Sequence, residues 1–207
     1  MKHLWLKAGL FSLVAALVMS GIAPYERSTW WMEVAPVLIA LPILIATYRR
    51  FPLTPLLYTL IWLHALVLIL GGAYTYARVP LGFALQDWFG LDRNPYDKIG
   101  HFMQGLTPAI VARELLLRHR VVLKNGWLFL LCLCAVMFIS SLYELIEWGA
   151  ALMLGQGAEE FLGTQGYVWD TQSDMFYALI GGLVALIVFP RLHDRQLERR
   201  QKRPFQP

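Results

Sequence analysis

The feature that most constrains this chain is a series of six long apolar segments separated by short polar loops. A transmembrane α-helix needs about 20 mostly apolar residues to cross the hydrocarbon core of a bilayer. Only 15% of the 207 residues are charged and 57% are hydrophobic, whereas a soluble domain carries roughly 25% charged residues. The sequence therefore predicts one all-α transmembrane domain, a polytopic helix bundle of about six spans over residues 1–207. The predicted spans are 4–23, 31–48, 55–77, 98–117, 126–154 and 173–189.

The first segment has the layout of a signal peptide, because Lys2 and Lys7 come before its apolar core. The small residues Gly21 and Ala23 would suit a signal peptidase. Pro24 follows them directly and disfavours cleavage. We therefore expect the first segment to remain in place as a span.

The distribution of basic residues predicts the orientation of the spans. Lys and Arg are enriched in short loops on the cytoplasmic side. With the N-terminus in the cytoplasm, 14 of the 18 basic residues lie inside, and those outside are Arg27, Arg78, Arg93 and Lys98. We therefore expect both termini to be cytoplasmic in the inner membrane of a bacterium, N-in and C-in. The basic tail, 190–207, is expected to be solvated and to contact anionic lipid headgroups. No nucleic-acid partner is expected, because no nucleic-acid-binding module accompanies the tail.

The two predicted outer loops, 78–97 and 155–172, contain aromatic residues that include Trp88, Phe89 and Trp169. Aromatic side chains in such loops are typical of the lipid headgroup region. The alternative is a lid or entrance that admits a lipid-like substrate from the outer leaflet.

Polar residues recur at helical spacing in the last three segments, within 94–189. Residues separated by steps of four, three and four lie on one face of a helix. The three stripes are Asp97, His101, Gln104 and Pro108, then Ser140, Glu144, Glu147 and Ala151, then Asp170, Asp174, Tyr177 and Gly181. The matching spacing predicts three helices that face one another in a bundle.

The predicted topology brings the ionisable residues of the stripes to one depth, near the extracytoplasmic face. The fourth span runs inward, the fifth runs outward and the sixth returns inward. The residues expected to meet are Asp97, His101, Glu144, Glu147, Asp170 and Asp174. Spans one to three, within 1–77, are expected to serve as a scaffold.

Five carboxylates in one region repel one another when all are ionised, and Lys98 and Arg93 are the nearby cations. Burying one unpaired charge in lipid costs about 2.5 kcal/mol or more. The repulsion is relieved by a divalent metal ion, by protonation of some carboxyls, or by exposure of Asp97 and Asp170 to water. The candidate metal ligands are Asp97, His101, Glu144, Glu147, Asp170 and Asp174. The candidate catalytic residues are His101, Glu144, Glu147 and Asp174.

Other polar residues in the apolar segments are expected to be structural. His64 is predicted to face the bundle and to make a hydrogen bond there. Glu114 lies about 20 Å along the helix from His101, so a local ion pair or snorkelling is expected for it rather than a place in the cluster. Gly181 and Gly182 predict a close approach of two helices.

Three stretches of the chain resemble the YjdF-like bacterial inner-membrane family. They are NPYDKIGHF at 94–102, YELIEW at 143–148 and GYVWDTQSDM at 166–175. The resemblance extends over roughly the whole chain. It implies an inner-membrane location and names no reaction.

The start of the fourth segment is also similar to VanZ-like membrane proteins. Asp97, Lys98, His101 and Phe102 match the Asp-Lys-x-x-His-Phe pattern of that family. Asp174 and Gly181 fit its second motif, in which Ala178 replaces an Asn. The similarity implies chemistry on the cell envelope.

Three classes of function are compatible with these patterns. The first is hydrolysis or transfer on a lipid-linked or amphipathic envelope substrate, with a metal-bound water as nucleophile. The second is a proton- or cation-coupled transporter, since clusters of acids and His also form ion pathways. The third is a non-catalytic membrane organiser. Membrane lipids are expected partners in each case.

Overall fold

The computed structural model of the protein describes residues 4–154, 165 and 167–201, and the regular elements in these ranges are all α-helices. The all-α prediction is confirmed. The helices are α1 (Leu4–Ile22), α2 (Arg27–Thr47), α3 (Pro55–Tyr74), α4 (Pro80–Phe89), α5 (Tyr96–Arg118), α6 (Gly126–Leu154), α7 (Asp170–Val188) and α8 (Pro190–Gln201). Within the described ranges, α1, α2, α3, α6 and α7 are long and apolar enough to cross a membrane.

Helix α5 corresponds to the predicted fourth span and lies at the centre of the bundle. It has 23 residues and contacts α3, α6 and α7. Polar side chains such as His101 and Gln104 leave it less apolar than those five helices, as do its charged residues. Those residues lie at its two ends, Asp97 and Lys98 at the start and Arg113, Glu114 and Arg118 at the finish. The apolar middle of α5 therefore separates two polar regions inside the bundle.

Glycine lets α5 and α7 pack backbone to backbone. A Cβ atom at Gly105 would overlap the carbonyl group of Ala178, and a Cβ atom at Gly181 would overlap the carbonyl group of Phe102. Small residues permit this close approach between helices in membranes. The predicted close approach at Gly181 is confirmed, and it brings the first turns of α5 and α7 together.

The apolar core lies between α3, α5, α6 and α7. Leu57 and Leu60 pack there with Ile110 and Val136. The outward faces of the long helices are also apolar. Phe11 is 76% exposed and Met153 is 89% exposed. Apolar surface of this extent is typical of a protein surrounded by lipid.

The ends of α2 and α3 are set by local capping. The Glu26 carboxylate accepts hydrogen bonds from the backbone N–H groups of Ser28 and Thr29. Partial burial acts to raise the pKa of Glu26, but these hydrogen bonds outweigh it and lower the pKa to about 2. Thr54 caps α3, which begins with Pro55, a residue favoured in the first turn.

Two predicted loops and the predicted tail differ from expectation in part. Residues 80–89 of the first loop form α4, which exposes Trp88 and Phe89. Most of the second loop lies outside the described residues. The prediction of a solvated tail is wrong for one face of α8, where His193 and Leu197 are buried. Gln196, on the same helix, accepts a 2.9 Å hydrogen bond from the backbone N–H of Leu56.

Candidate functional site

Three of the predicted residues form a compact buried group where α5 and α7 begin. Asp97 and His101 lie one turn apart on α5, and Asp174 lies opposite them on α7. One potential ligand atom from each residue lies within 4.8 Å of the other two. The three residues are 8%, 6% and 3% exposed, respectively. The predicted meeting of these two helices is therefore present in the structure.

The imidazole of His101 is oriented by Gln104. The Nδ1 atom of His101 lies 3.0 Å from the Oε1 atom of Gln104. An amide oxygen only accepts hydrogen bonds, so Nδ1 carries the hydrogen in this arrangement. The Nε2 atom then faces two carboxylates, at 3.3 Å from Oδ1 of Asp97 and 3.7 Å from Oδ2 of Asp174. One nitrogen and two carboxylate oxygens thus converge.

Lys98 occupies the other side of these carboxylates. Its Nζ atom lies 2.5 Å from Oδ1 of Asp174, 3.0 Å from Oδ1 of Asp170 and 3.3 Å from Oδ2 of Asp97. Arg93 contacts the same oxygen of Asp170 at 2.7 Å. Asp170 is therefore held in ion pairs with Lys98 and Arg93 and stands outside the three-residue group. Asp97 and Asp174 each direct one oxygen at Lys98 and the other at His101.

The two glutamates predicted on α6 take different positions. Glu144 is 9% exposed, and its Oε1 atom lies 3.9 Å from Nδ1 of His101. This oxygen has no hydrogen-bond partner among the described residues. Glu147 lies one turn further along α6 and lines a cavity that also reaches Asp97 and His101. Both glutamates therefore approach the His101 region, as the stripes predicted.

The cavity has a volume of about 190 Å³ and lies between α2, α3, α5 and α6. Its wall includes Glu33, His64, Tyr76, Tyr143 and Glu147. The Tyr143 hydroxyl donates a 3.0 Å hydrogen bond to Oε2 of Glu33. The cavity thus joins the His101 region to a second set of polar groups on the first half of the chain.

Sequence reasoning missed Glu33, Tyr76 and Tyr143 as site residues. An acidic residue inside an apolar segment is by default a functional candidate, and this signal alone could have identified Glu33 within 31–48. Spans one to three were expected to serve as a scaffold, and the structure shows that Glu33 and His64 from these helices line the cavity. The Nε2 atom of His64 is buried and has no hydrogen-bond partner among the described residues.

A second polar cluster lies at the other end of α5, as expected for Glu114. Its carboxylate is fully buried, accepts a 2.7 Å hydrogen bond from Thr54 and lies 2.8 Å from Arg118. The predicted local ion pair is confirmed. The Nε2 atom of His193 on α8 lies 3.1 Å from the same carboxylate. The Nδ1 atom of His193 lies 2.8 Å from the Arg113 guanidinium.

Asp194 extends this second cluster toward the surface. Its carboxylate contacts Arg113 at 2.8 Å and Lys124 at 3.1 Å. Partial burial acts to raise the pKa of Asp194, but the hydrogen bonds and charges of Arg113 and Lys124 outweigh it and lower the pKa. The cluster is therefore a network of matched charges that ties α8 to α5.

The fold and the site define a class: a polytopic helical membrane protein with a buried histidine–carboxylate centre beside an internal cavity. The family model described as "Predicted membrane protein (DUF2238)" matches residues 6–195, and the chain belongs to this family. The chain is 56% identical over 199 residues to the "Inner membrane protein YjdF" of Escherichia coli (strain K12), which covers 96% of this chain and 95% of that protein. No solved structure matches the chain.

Proposed function

We propose that the chain is a metal-dependent hydrolase or transferase of the bacterial inner membrane that acts on a lipid-linked or amphipathic envelope substrate. The observation that carries this proposal is the convergence of Nε2 of His101 with one oxygen each of Asp97 and Asp174. Imidazole and carboxylate groups are common ligands of divalent transition metals in enzymes. The name of the Escherichia coli relative supports the inner-membrane location.

The surroundings of the three residues fit a metal ion. Gln104 fixes His101 so that Nε2 faces the carboxylates, and such outer contacts orient metal-bound histidines in general. Lys98 neutralises the remaining oxygens of Asp97 and Asp174 and so lowers the repulsion between them. A bound metal ion would supply an activated water and a Lewis acid.

The glutamates on α6 provide the acid–base groups of the proposed reaction. Glu144 is within 3.9 Å of His101, and one of its oxygens is unsatisfied. Glu147 is on the cavity wall, where a substrate would lie. We assign Glu144 and Glu147 to proton transfer and Asp97, His101 and Asp174 to metal binding. Asp170 positions Lys98 and Arg93.

The proposed topology has six spans, formed by α1, α2, α3, α5, α6 and α7, with both termini in the cytoplasm. The bias of basic residues supports this orientation. It places the His101 centre near the extracytoplasmic side and the Glu114 cluster near the cytoplasm. The exposed Trp88 and Phe89 on α4 support a position of that helix at the outer lipid headgroups.

The test is the metal content of the purified protein. Wild type and the variants His101→Ala and Asp174→Asn are loaded with Zn²⁺ or Mn²⁺, dialysed and analysed by mass spectrometry. We expect one metal per chain in the wild type and loss of the metal in both variants. Asp87→Asn, at an exposed position on α4, is the matched control and retains the metal. A well-folded wild type that takes up neither ion would refute the proposal.

A second candidate function is proton- or cation-coupled transport, for which His64 and Glu114 are the candidate polar groups on a route to the cytoplasm. His64 lies on the cavity wall, and Glu114 is buried near the opposite end of α5. Packed Leu57, Leu60 and Ile110 belong to the apolar core between these regions. Transport would require this layer to open. Ion flux into proteoliposomes that stops on Glu147→Gln would favour transport over hydrolysis.

A further inference from the structure

We propose that the cavity binds a primary ammonium group, so that the substrate carries a protonated amine in its polar head. This inference rests on the proposed function and names the chemical class of its substrate. The ammonium would lie between Glu33 and Glu147, beside the metal-binding group rather than within it.

The first argument is the charge of the cavity wall. Among the described residues that line it, the acidic ones are Glu33, Asp97 and Glu147, and none of the lining residues is Lys or Arg. Asp97 already has Lys98 and His101 beside it. Glu33 and Glu147 come from separate helices, α2 and α6, and face the same space. A cationic occupant would compensate them, whereas an anionic one would be repelled.

The second argument is the hydrogen bonding that the wall offers. Ionised carboxylates only accept hydrogen bonds, and a primary ammonium brings three donors. The Tyr143 hydroxyl donates to Glu33 and holds this carboxylate at the wall. The Nε2 atom of His64 is buried on the same wall without a partner in the described part of the chain. An unsatisfied buried polar atom calls for an explanation, and an N–H donor of a ligand in the cavity would satisfy this nitrogen.

The third argument is the size and the apolar side of the cavity. A volume of about 190 Å³ is suited to a small head group rather than to a sugar polymer. Pro36, Leu68 and Ile139 form apolar parts of the wall. Ile139 is also 38% exposed on the outside of α6. An alkyl chain attached to the ammonium could therefore extend past Ile139 toward lipid.

The experiment measures ligand binding by the full-length protein in lipid nanodiscs. Thermal unfolding is followed while ethanolamine is titrated as the probe. Ethylene glycol serves as the neutral analogue and tetramethylammonium as the cation without N–H donors. We expect ethanolamine alone to raise the unfolding midpoint in a saturable manner, since a ligand that binds the folded state stabilises it.

The variants locate the binding. We expect Glu33→Gln and Glu147→Gln each to weaken ethanolamine binding by about tenfold or more, which corresponds to one lost ion pair. Asp87→Asn, outside the cavity, is the matched control and binds as the wild type does. Tyr143→Phe is expected to weaken binding less, because it removes only the group that holds Glu33. The Tm of each variant without ligand shows whether that variant is folded. If one of the three cavity variants is unfolded, the other two variants locate the site.

Three outcomes would overturn the inference. Ethanolamine could stabilise the wild type no more than ethylene glycol does. Tetramethylammonium could bind as well as ethanolamine, or the folded glutamate variants could bind as the wild type does. Metal content is measured on the same preparations. If the wild type holds a metal but does not bind ethanolamine, the ammonium site is refuted and the proposed function is not. If the wild type holds no metal, the proposed function is refuted.

Discussion

The Oε1 atom of Gln104 lies 3.0 Å from Nδ1 of His101, and this contact sets which nitrogen of the imidazole faces Asp97 and Asp174. Both residues lie on α5, three positions apart, so they share a helix face. The orientation of His101 is therefore fixed within a single helix. The carboxylate of Asp174, which lies opposite His101, belongs to a different helix, α7.

Gln104→Leu is expected to lower metal affinity by about 10–100-fold, the usual effect of losing a group that orients a metal-bound histidine. The chain should remain folded, because Leu has a volume close to that of Gln. The measurement is a competition titration with a fluorescent Zn²⁺ chelator. The matched control is Gln172→Leu, at an exposed position in the first turn of α7. Equal affinities in wild type and Gln104→Leu would contradict the role assigned to Gln104.

Lys98→Met is expected to destabilise the fold by about 3–5 kcal/mol, since it leaves buried carboxylates without their cation. The Lys98 side chain is 12% exposed and contacts three aspartates. Unfolding in mixed micelles of SDS and mild detergent gives the free energy. Lys124→Met is the control, because the Lys124 side chain is 51% exposed and surface pairs contribute at most about 1 kcal/mol.

The double variant Lys98→Met/Asp174→Asn tests the cause of that loss. Asp174→Asn removes one of the carboxylates that repel one another once Lys98 is gone. The double variant should therefore be more stable than the sum of the two single losses predicts, as expected for two residues that interact. If the losses simply add, Lys98 stabilises the fold by packing and not by charge.

Gly105→Ala is expected to destabilise the protein by about 1–3 kcal/mol, the usual cost of overpacking. The new methyl group would meet the backbone of Ala178, which cannot rotate away. Gly149→Ala, on α6, is the matched control because nothing lies within 4 Å of its Cβ position. There the greater helix propensity of Ala should leave stability unchanged or slightly raised. The same unfolding assay compares the two, and similar effects at both positions would argue against a backbone contact between α5 and α7.

Glu26→Ala is expected to cost about 1 kcal/mol at pH 6, as does the loss of other N-caps. The cost should depend on pH, because the pKa of Glu26 falls from 4.5 to about 2 on folding. A carboxyl with a lowered pKa stabilises the fold above its ordinary pKa and loses this contribution as the pH falls through the folded value. The difference between wild type and Glu26→Ala should therefore shrink from pH 4.5 to pH 2. Glu198→Ala, at an exposed position on α8, is the control and should change stability by at most about 0.5 kcal/mol.

The sequence predicted the residues of the centre because helical spacing alone decides which side chains share a face. Asp97 and His101 are four apart on α5, and Asp174 lies one turn after the start of α7 at the matching depth. Gly181 signalled the close contact between these two helices. Each of these inferences needed only the geometry of single helices and the alternation of their directions.

The contributions of Glu33 and Asp170 could not be predicted in the same way. The role of Glu33 depends on which face α2 turns toward α3 and α6, and this is set by packing between helices far apart in sequence. Asp170 fits the stripe on α7, yet it pairs with Arg93, which lies before α5. Helical spacing carries no information about a contact between a helix and a distant connecting segment.

The docking of α8 could not be predicted from composition, which indicated a basic, solvated tail at 190–207. His193 stands among polar residues, so its local sequence does not indicate that it is buried. Its burial depends on Glu114 and Arg113 being displayed together on the end of α5. The match between His193 and these two side chains forms only when α5 and α8 are packed together in the bundle.

The contact of His193 with Glu114 and Arg113 has a consequence for a chain that lacks α8. Those two side chains belong to α5, but their partner on α8 follows some eighty residues later in the chain. Thr54 and Arg118 contact Glu114 without α8, whereas the two partners described for Arg113, His193 and Asp194, both lie on α8. A chain truncated before α8 would therefore leave the buried Arg113 guanidinium without these partners, and we expect it to be less stable than the chain that contains α8.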